Sequence, residues 1–154
     1  MFRQLRNKSK RIDESEMERI LLSQKYGTLS TTNEDGYPYA SPTMFCYVEG
    51  KIYLHCAVKG QKRDNLLRDP RACFCVVEEF SQEDLNAPVI YRSVIAFGKI
   101  RFVENSTDRM RIYTALCRKF NMIDKMDDPE YIRKREAVTE VLCLEVEHMT
   151  GKKL

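Results

Sequence analysis

The stretch from Gly50 to Pro70 brings His55 and a cluster of basic residues together where a strand is expected to give way to a helix. Lys59, Gly60, Gln61, Lys62 and Arg63 crowd a point where a helix is expected to begin. A helix start presents free backbone N–H groups and the positive end of its dipole. With an ammonium, a guanidinium and His55 close by, the place suits a phosphate. A solvated basic turn would have the same composition, and the residues alone leave both readings open. Neither Gly-x-x-x-x-Gly-Lys-Ser/Thr nor Gly-x-Gly-x-x-Gly occurs, so a phosphate here would belong to another kind of site. Elsewhere, Arg92 and Ser93 interrupt an apolar β-prone run. They face either solvent or a ligand.

The elements that must position these groups follow from local pattern. Ile52 to Ala57 reads as a strand, with Ile52, Leu54 and Cys56 on one face and Tyr53 and His55 on the other. Val58 to Gly60 breaks it. Gln61 to Arg68 reads as a helix with Leu66 and Leu67 as its buried side, stopped at Asp69 because a residue before proline avoids the α region.

Upstream, residues 1–11 form a basic arm, expected to be solvated or to lie against the body. The remaining residues, 12–154, are expected to form one domain. Asp13 caps a helix whose apolar face is Met17, Ile20 and Leu21. Glu16 is placed to close a capping box, and Ile12 to staple to Met17. Tyr26 to Thr32 and Tyr37 to Val48 read as strands joined by a turn at Asn33 to Gly36. Pro38 and Pro42 argue for an edge or a bulge in the second of these.

Downstream, Arg71 to Glu79 is a strand and Phe80 to Pro88 an acidic surface loop. Val89 to Glu104 is a long β stretch that Gly98 bends or bulges. A helix from Asn105 or Ser106 to about Phe120, a loop, and a second helix from Pro129 to about Ala137 capped by Asp128 come next. Thr139 to Val146 closes the chain as a strand. The order lacks regular βα alternation. It favours a mainly β (α+β) antiparallel barrel with peripheral helices over a doubly wound sheet.

Bulk properties narrow the function. The chain has 154 residues, 43% of them hydrophobic and 32% charged, with a net charge of +3. That charge makes no case for nucleic acid. No apolar run approaches the ~20 residues that span a bilayer. The N-terminus lacks the pattern of a signal peptide, so a cytoplasmic location is expected. The six cysteines lie mostly in apolar runs with no Cys-x-x-Cys, and read as reduced, packed thiols. Cys73 and Cys75 share a strand face, a weak metal or redox hint. No metal site is expected.

Four segments then carry a resemblance: Asp35-Gly-Tyr-Pro-Tyr-Ala-Ser-Pro42; Gly50-Lys-Ile-Tyr-Leu-His-Cys-Ala57; Gly60-Gln-Lys62 with Asn65-Leu66 and Asp69-Pro70; and Tyr91-Arg-Ser-Val-Ile95 followed by Gly98. The ending Val146 to Lys152 supports them. The sequence resembles the flavin-binding split-barrel proteins related to pyridoxamine 5′-phosphate oxidase, and among them the nitroimidazole-resistance (Nim-type) branch. The likeness spans residues ~12 to 154.

What the resemblance implies is a six-stranded antiparallel split β-barrel forming a homodimer, with flavin mononucleotide (FMN) in clefts between subunits. It places Thr43, Met44 and Phe45 beside the flavin ring, largely through backbone groups. His55, Cys56 and Ala57 line the ribityl-phosphate side. Gln61 and Lys62 meet the phosphate. Arg92, Ser93 and Val94 approach from the partner chain. Related chains usually carry Lys or Arg where Gln61 stands; Arg63 or Lys59 are the cations available to compensate.

The expected activity is an FMN-dependent oxidoreductase. It would pass electrons from a reduced nicotinamide or another donor to a small flat acceptor such as a nitroaromatic. His55 is the one histidine placed for a catalytic role, though cross-strand packing explains it equally well. His148 reads as surface. The alternative is a non-catalytic carrier, store or sensor holding FMN, an F420-like flavin or haem, or a structural dimer with an empty cleft.

Overall fold

In a computed structural model, residues 2–79 and 91–154 are described. The expected loop Phe80 to Pro88, and the first residues of the long β stretch, lie outside them. The elements run α1 (Glu14–Ser23), β1 (Tyr26–Thr32), β2 (Pro38–Val48), β3 (Lys51–Ala57), α2 (Gln61–Arg68), β4 (Arg71–Glu79), β5 (Tyr91–Phe102), α3 (Ser106–Lys119), α4 (Pro129–Val138) and β6 (Thr139–Lys153). Short 3₁₀ turns occupy Lys8–Lys10 and Ile123–Asp127.

The strands close into a barrel in the order β1-β2-β3-β6-β5-β4, and every ladder is antiparallel. Strand alternation decides what fills it. Leu29, Phe45, Leu54, Phe74, Val94 and Leu144 point inward and are sealed from solvent. Ile20 and Leu21 of α1 join the same interior cluster. Burying a side chain of this size contributes about 1.5–3 kcal/mol, which makes the interior the main source of stability. On the outer face, α3 lays Ile112 and Leu116 over Cys46, Tyr53, Val141 and Cys143, a second core outside the barrel.

Caps and glycines set the element ends. The Asp13, Asn105 and Asp128 carboxylates or amide oxygens accept from the first-turn N–H groups of α1, α3 and α4. Ile12 and Met17 both converge on Gly151, so the expected staple closes against β6. Glu16 goes elsewhere: its carboxylate reaches Arg92 at 2.5 Å instead of turning back to the cap. The β5–β6 register shifts between Phe97 and Gly98. A Cβ on Gly98 would stand 2.0 Å from the Glu145 carbonyl oxygen, so only glycine permits this bulge.

Three further expectations change. Leu67 is 58% exposed, and Asn65 takes the buried place beside Leu66. The buried Asn65 amide donates to Thr31 Oγ1 at 3.0 Å and to Asn33 Oδ1 at 2.9 Å, tying α2 to the β1–β2 hairpin. β6 runs on to Lys153, because β5 pairs with it as far as Arg92. The 3₁₀ turn at Ile123–Asp127 occupies what reads as loop. The basic arm lies on the barrel: Phe2 stacks on His148 with ring centroids 5.0 Å apart, and Arg11 bridges to Lys152.

Candidate functional site

The barrel is split on one side. The β2–β3 ladder runs from Val48↔Lys51 to Phe45↔Leu54 and ends there, although β2 extends back to Pro38 and β3 on to Ala57. Along Pro38 to Met44, β2 is paired to β1 alone. The two prolines thus fall where one strand edge is open, as their missing N–H groups require. Phe45 N donates to Lys25 on the β1 side. Strand alternation therefore turns the Met44 amide toward the split.

Parity also sorts the expected site residues. Phe45, Cys56 and Val94 send their side chains into the barrel, and Thr43 is likewise buried, so these can meet a ligand only through backbone. Met44 and His55 face outward beneath α3 and α4. Ala57 is exposed at the end of β3. Burial pushes the Cys56 thiol up to about 11, and that of Cys46 to about 12; neither is a thiolate at neutral pH.

Beyond Ala57, Gly60 precedes α2 at φ 128°, a conformation glycine adopts without strain. Gln61 is exposed and donates to Asn33 Oδ1 at 3.0 Å. Arg63 pairs with Glu140 at 3.3 Å and lies over the Phe102 ring, so it is already neutralised. Lys59 is exposed. Lys62 differs from both. It is half-buried, desolvation pulls its pKa down, and among the described residues no carboxylate pairs with it. A cation in that state is stabilised by an anion arriving from solution.

His55 stands between Lys62 and Arg135 of α4. Desolvation, then the charges of Lys62 and Arg135, hold its pKa below 6.5. Its Nδ1 is buried without a hydrogen-bond partner. The unfolded chain therefore takes up a proton before the folded one as pH falls. Stability is expected to drop as pH is lowered from 6.5 toward the folded value. Urea midpoints at pH 7.5 and 5.5 should show that drop, and His55→Gln should flatten it.

Arg92 and Ser93 do not join this group within one chain. Ala57 pairs with Thr139, and Arg92 with Lys153, at opposite ends of β6. The separation is on the order of 45 Å of strand path. Arg92 is held by Glu16 at 2.5 Å and Glu78 at 3.8 Å. Arg19 grips the same Glu78 through two bonds of 2.7 and 2.8 Å, which lowers its pKa. Ser93 lies on the outer sheet face with Ile95 and Phe97.

Sequence reading missed a cavity of about 100 Å³ between the outer barrel face, α3 and α4. Tyr113, Cys117 and Phe120 line it, as do Met122 and Met126. The available signal was two apolar methionines in what reads as a polar loop.

An antiparallel six-stranded barrel, split between β2 and β3 with a basic helix start at the split, defines the class of antiparallel split barrels. Residues 13–153 match the family described as pyridoxamine 5′-phosphate oxidase, and the chain belongs to that family. No curated protein matches the sequence. Among solved structures, it is similar to a conserved hypothetical protein from Mycobacterium tuberculosis: TM-score 0.82, 21% identity, covering 97% of this chain and 89% of that one. It is also similar to a candidate 5-nitroimidazole antibiotic resistance protein from Bacteroides thetaiotaomicron, with TM-score 0.74, 22% identity and coverage of 92% and 84%. A third is an FAD and haem binding protein from Mycobacterium smegmatis, with TM-score 0.74, 18% identity and coverage of 91% and 70%. At these identities the likeness establishes the fold. No helix among the described residues is long and apolar enough to cross a membrane.

Proposed function

We propose that the protein binds FMN at the β2–β3 split, between two copies of the chain, and works as an FMN-dependent oxidoreductase. The observation that carries this is Lys62: a half-buried ammonium with no carboxylate partner among the described residues, at the start of α2 beside the split. A phosphate would pair with Lys62 and the first N–H groups of α2. The open edge at Met44 offers backbone groups to the flavin ring, and Thr43 and Phe45 flank it. Gln61 would add a neutral contact only. With Arg63 committed to Glu140, Lys59 is the cation left to supplement Lys62.

Two copies are part of the proposal. Ser93, Ile95 and Phe97 share an outer sheet face with Cys73, Cys75 and the 52%-exposed Val77. A second chain covering that face would bring its own Arg92 to Val94 segment toward the first chain's split. Bound flavin supplies the two-electron chemistry. The protein's part is to orient the ring, pair the phosphate and hold His55 neutral beside the cleft. The acceptor would be small and flat, such as a nitroaromatic, and the donor a reduced nicotinamide.

A second reading is a non-catalytic carrier or sensor of flavin or haem. It is favoured by the M. smegmatis neighbour's description and by the lack, among the described residues, of a carboxylate lining the cavity with His55. Anaerobic mixing of flavin-loaded protein with NADPH or NADH separates the two. Bleaching of the flavin, reversed by a nitroaromatic, supports the oxidoreductase. A colour that neither nicotinamide changes supports the carrier.

A further inference from the structure

The cavity under α3 and α4 has a chemistry of its own. Its wall combines aromatic rings (Tyr113, Phe120, Tyr131) with the thioethers of Met44, Met122 and Met126. Such a lining prefers an aromatic ring, through edge contacts and sulfur–ring contacts. Its volume of about 100 Å³, open on one side, suits one ring. For scale, an enclosed void of about 150 Å³ takes up benzene.

Polar groups in the wall are few and unequal. The Tyr113 hydroxyl is spent on the Thr139 carbonyl at 3.2 Å. His55 Nδ1 is buried and unpartnered. Arg135 stands at the exposed rim, its guanidinium over the Tyr131 ring at 5.4 Å, and among the described residues no carboxylate pairs with it. Among the described residues no acidic side chain lines the cavity. A ligand that matches all of this has an apolar ring for the interior and an anionic group for Arg135 and His55.

We propose that this cavity is a binding site for a small aromatic monocarboxylate. The ring packs among Met44, Phe120 and Met126, and the carboxylate accepts hydrogen bonds from the Arg135 guanidinium and the His55 ring N–H. The site shares Met44 and His55 with the proposed flavin cleft and would adjoin it. That adjacency rests on the flavin reading; the binding itself does not.

The chain has two histidines, so each imidazole is assignable in NMR spectra by substituting the other. Benzoate added to the full-length protein is expected to shift the His55 resonances in a saturable way and leave those of His148, beneath Phe2, in place. Arg135→Met, at an exposed position, is expected to weaken benzoate about tenfold, the value of one charge-assisted contact. Lys62→Ala, which removes a cation near His55 but not from the cavity wall, should weaken benzoate less than Arg135→Met does, while lowering FMN affinity. Unmoved His55 resonances would overturn the proposal. So would benzyl alcohol binding as tightly as benzoate with no effect of Arg135→Met, which would make the cavity a plain apolar void. Loss of benzoate in Lys62→Ala but not Arg135→Met would place the anion at α2 instead. Benzoate binding by a chain that takes no FMN would sink the flavin reading alone.

Discussion

On the proposed function, Lys62→Ala is expected to fold normally and to lose affinity for FMN. The ammonium is half-buried and gives up no ion pair among the described residues on removal, so thermal stability should stay the same or rise slightly. What would be lost is one charge-assisted bond to the proposed phosphate, about 2–3 kcal/mol, or roughly 30- to 150-fold in Kd. Fluorescence titration of the variant with FMN reads this directly, with circular dichroism as the check on folding. Gln61→Lys is the complementary change. It adds a second cation where Asn33 now holds the amide, and should tighten FMN. A Lys62→Ala protein that keeps wild-type affinity would place the phosphate elsewhere.

The second large effect concerns the barrel itself. Phe45→Ala is expected to cost about 3–5 kcal/mol in urea unfolding, the range for a fully buried aromatic ring. Phe45 is sealed from solvent, meets Phe74 edge-on at 5.0 Å, and has the Lys119 ammonium 4.0 Å above its ring. That ammonium, held also by the Leu21 carbonyl at 3.0 Å, is pulled down to about 8 by burial. Removing the ring leaves a cavity and strips the ammonium of its partner face. Tyr37→Ala, at a residue 72% exposed, is the control and should stay within about 0.5 kcal/mol. A Phe45→Ala cost near the control's would mean that the interior is not packed around this residue.

Phe45 also shows why part of the site was legible in sequence and part was not. Alternation in β2 and β3 is local, so the inward faces of Ile52, Leu54 and Cys56 follow from period alone, as do the caps at Asp13, Asn105 and Asp128. The bulge at Gly98 follows from one glycine in a long β run. Asn65 defeats such reasoning. A buried amide looks like a solvated helix residue until Thr31 and Asn33, more than thirty positions away, supply its acceptors. Glu16 is similar: its cap role is a local expectation, overridden by Arg92 from β5. β6 ends late because its last residues alternate charged and polar groups outward, which masks a paired strand. The cavity at His55 is assembled from α3, α4 and the barrel, and no single stretch announces it.

The same distinction bears on the site as a whole. Lys62 and His55 are close because a strand and the following helix put them there. Arg92 and Ser93, on β5, pair with the far end of β6, and among the described residues of one chain nothing brings them to the split. The proposed shared cleft would therefore require a second chain, with its outer β4–β5 face against the first. Sedimentation equilibrium at micromolar protein would report that dimer, and Val77→Glu on the exposed face should break it.

The most direct measurement is the visible absorption spectrum of the purified protein after incubation with FMN and desalting, followed by mass analysis of the chromophore released on denaturation. A flavin spectrum at about one FMN per chain is the predicted result. A protein that emerges colourless from excess FMN, or one that retains haem and excludes flavin, would contradict the account.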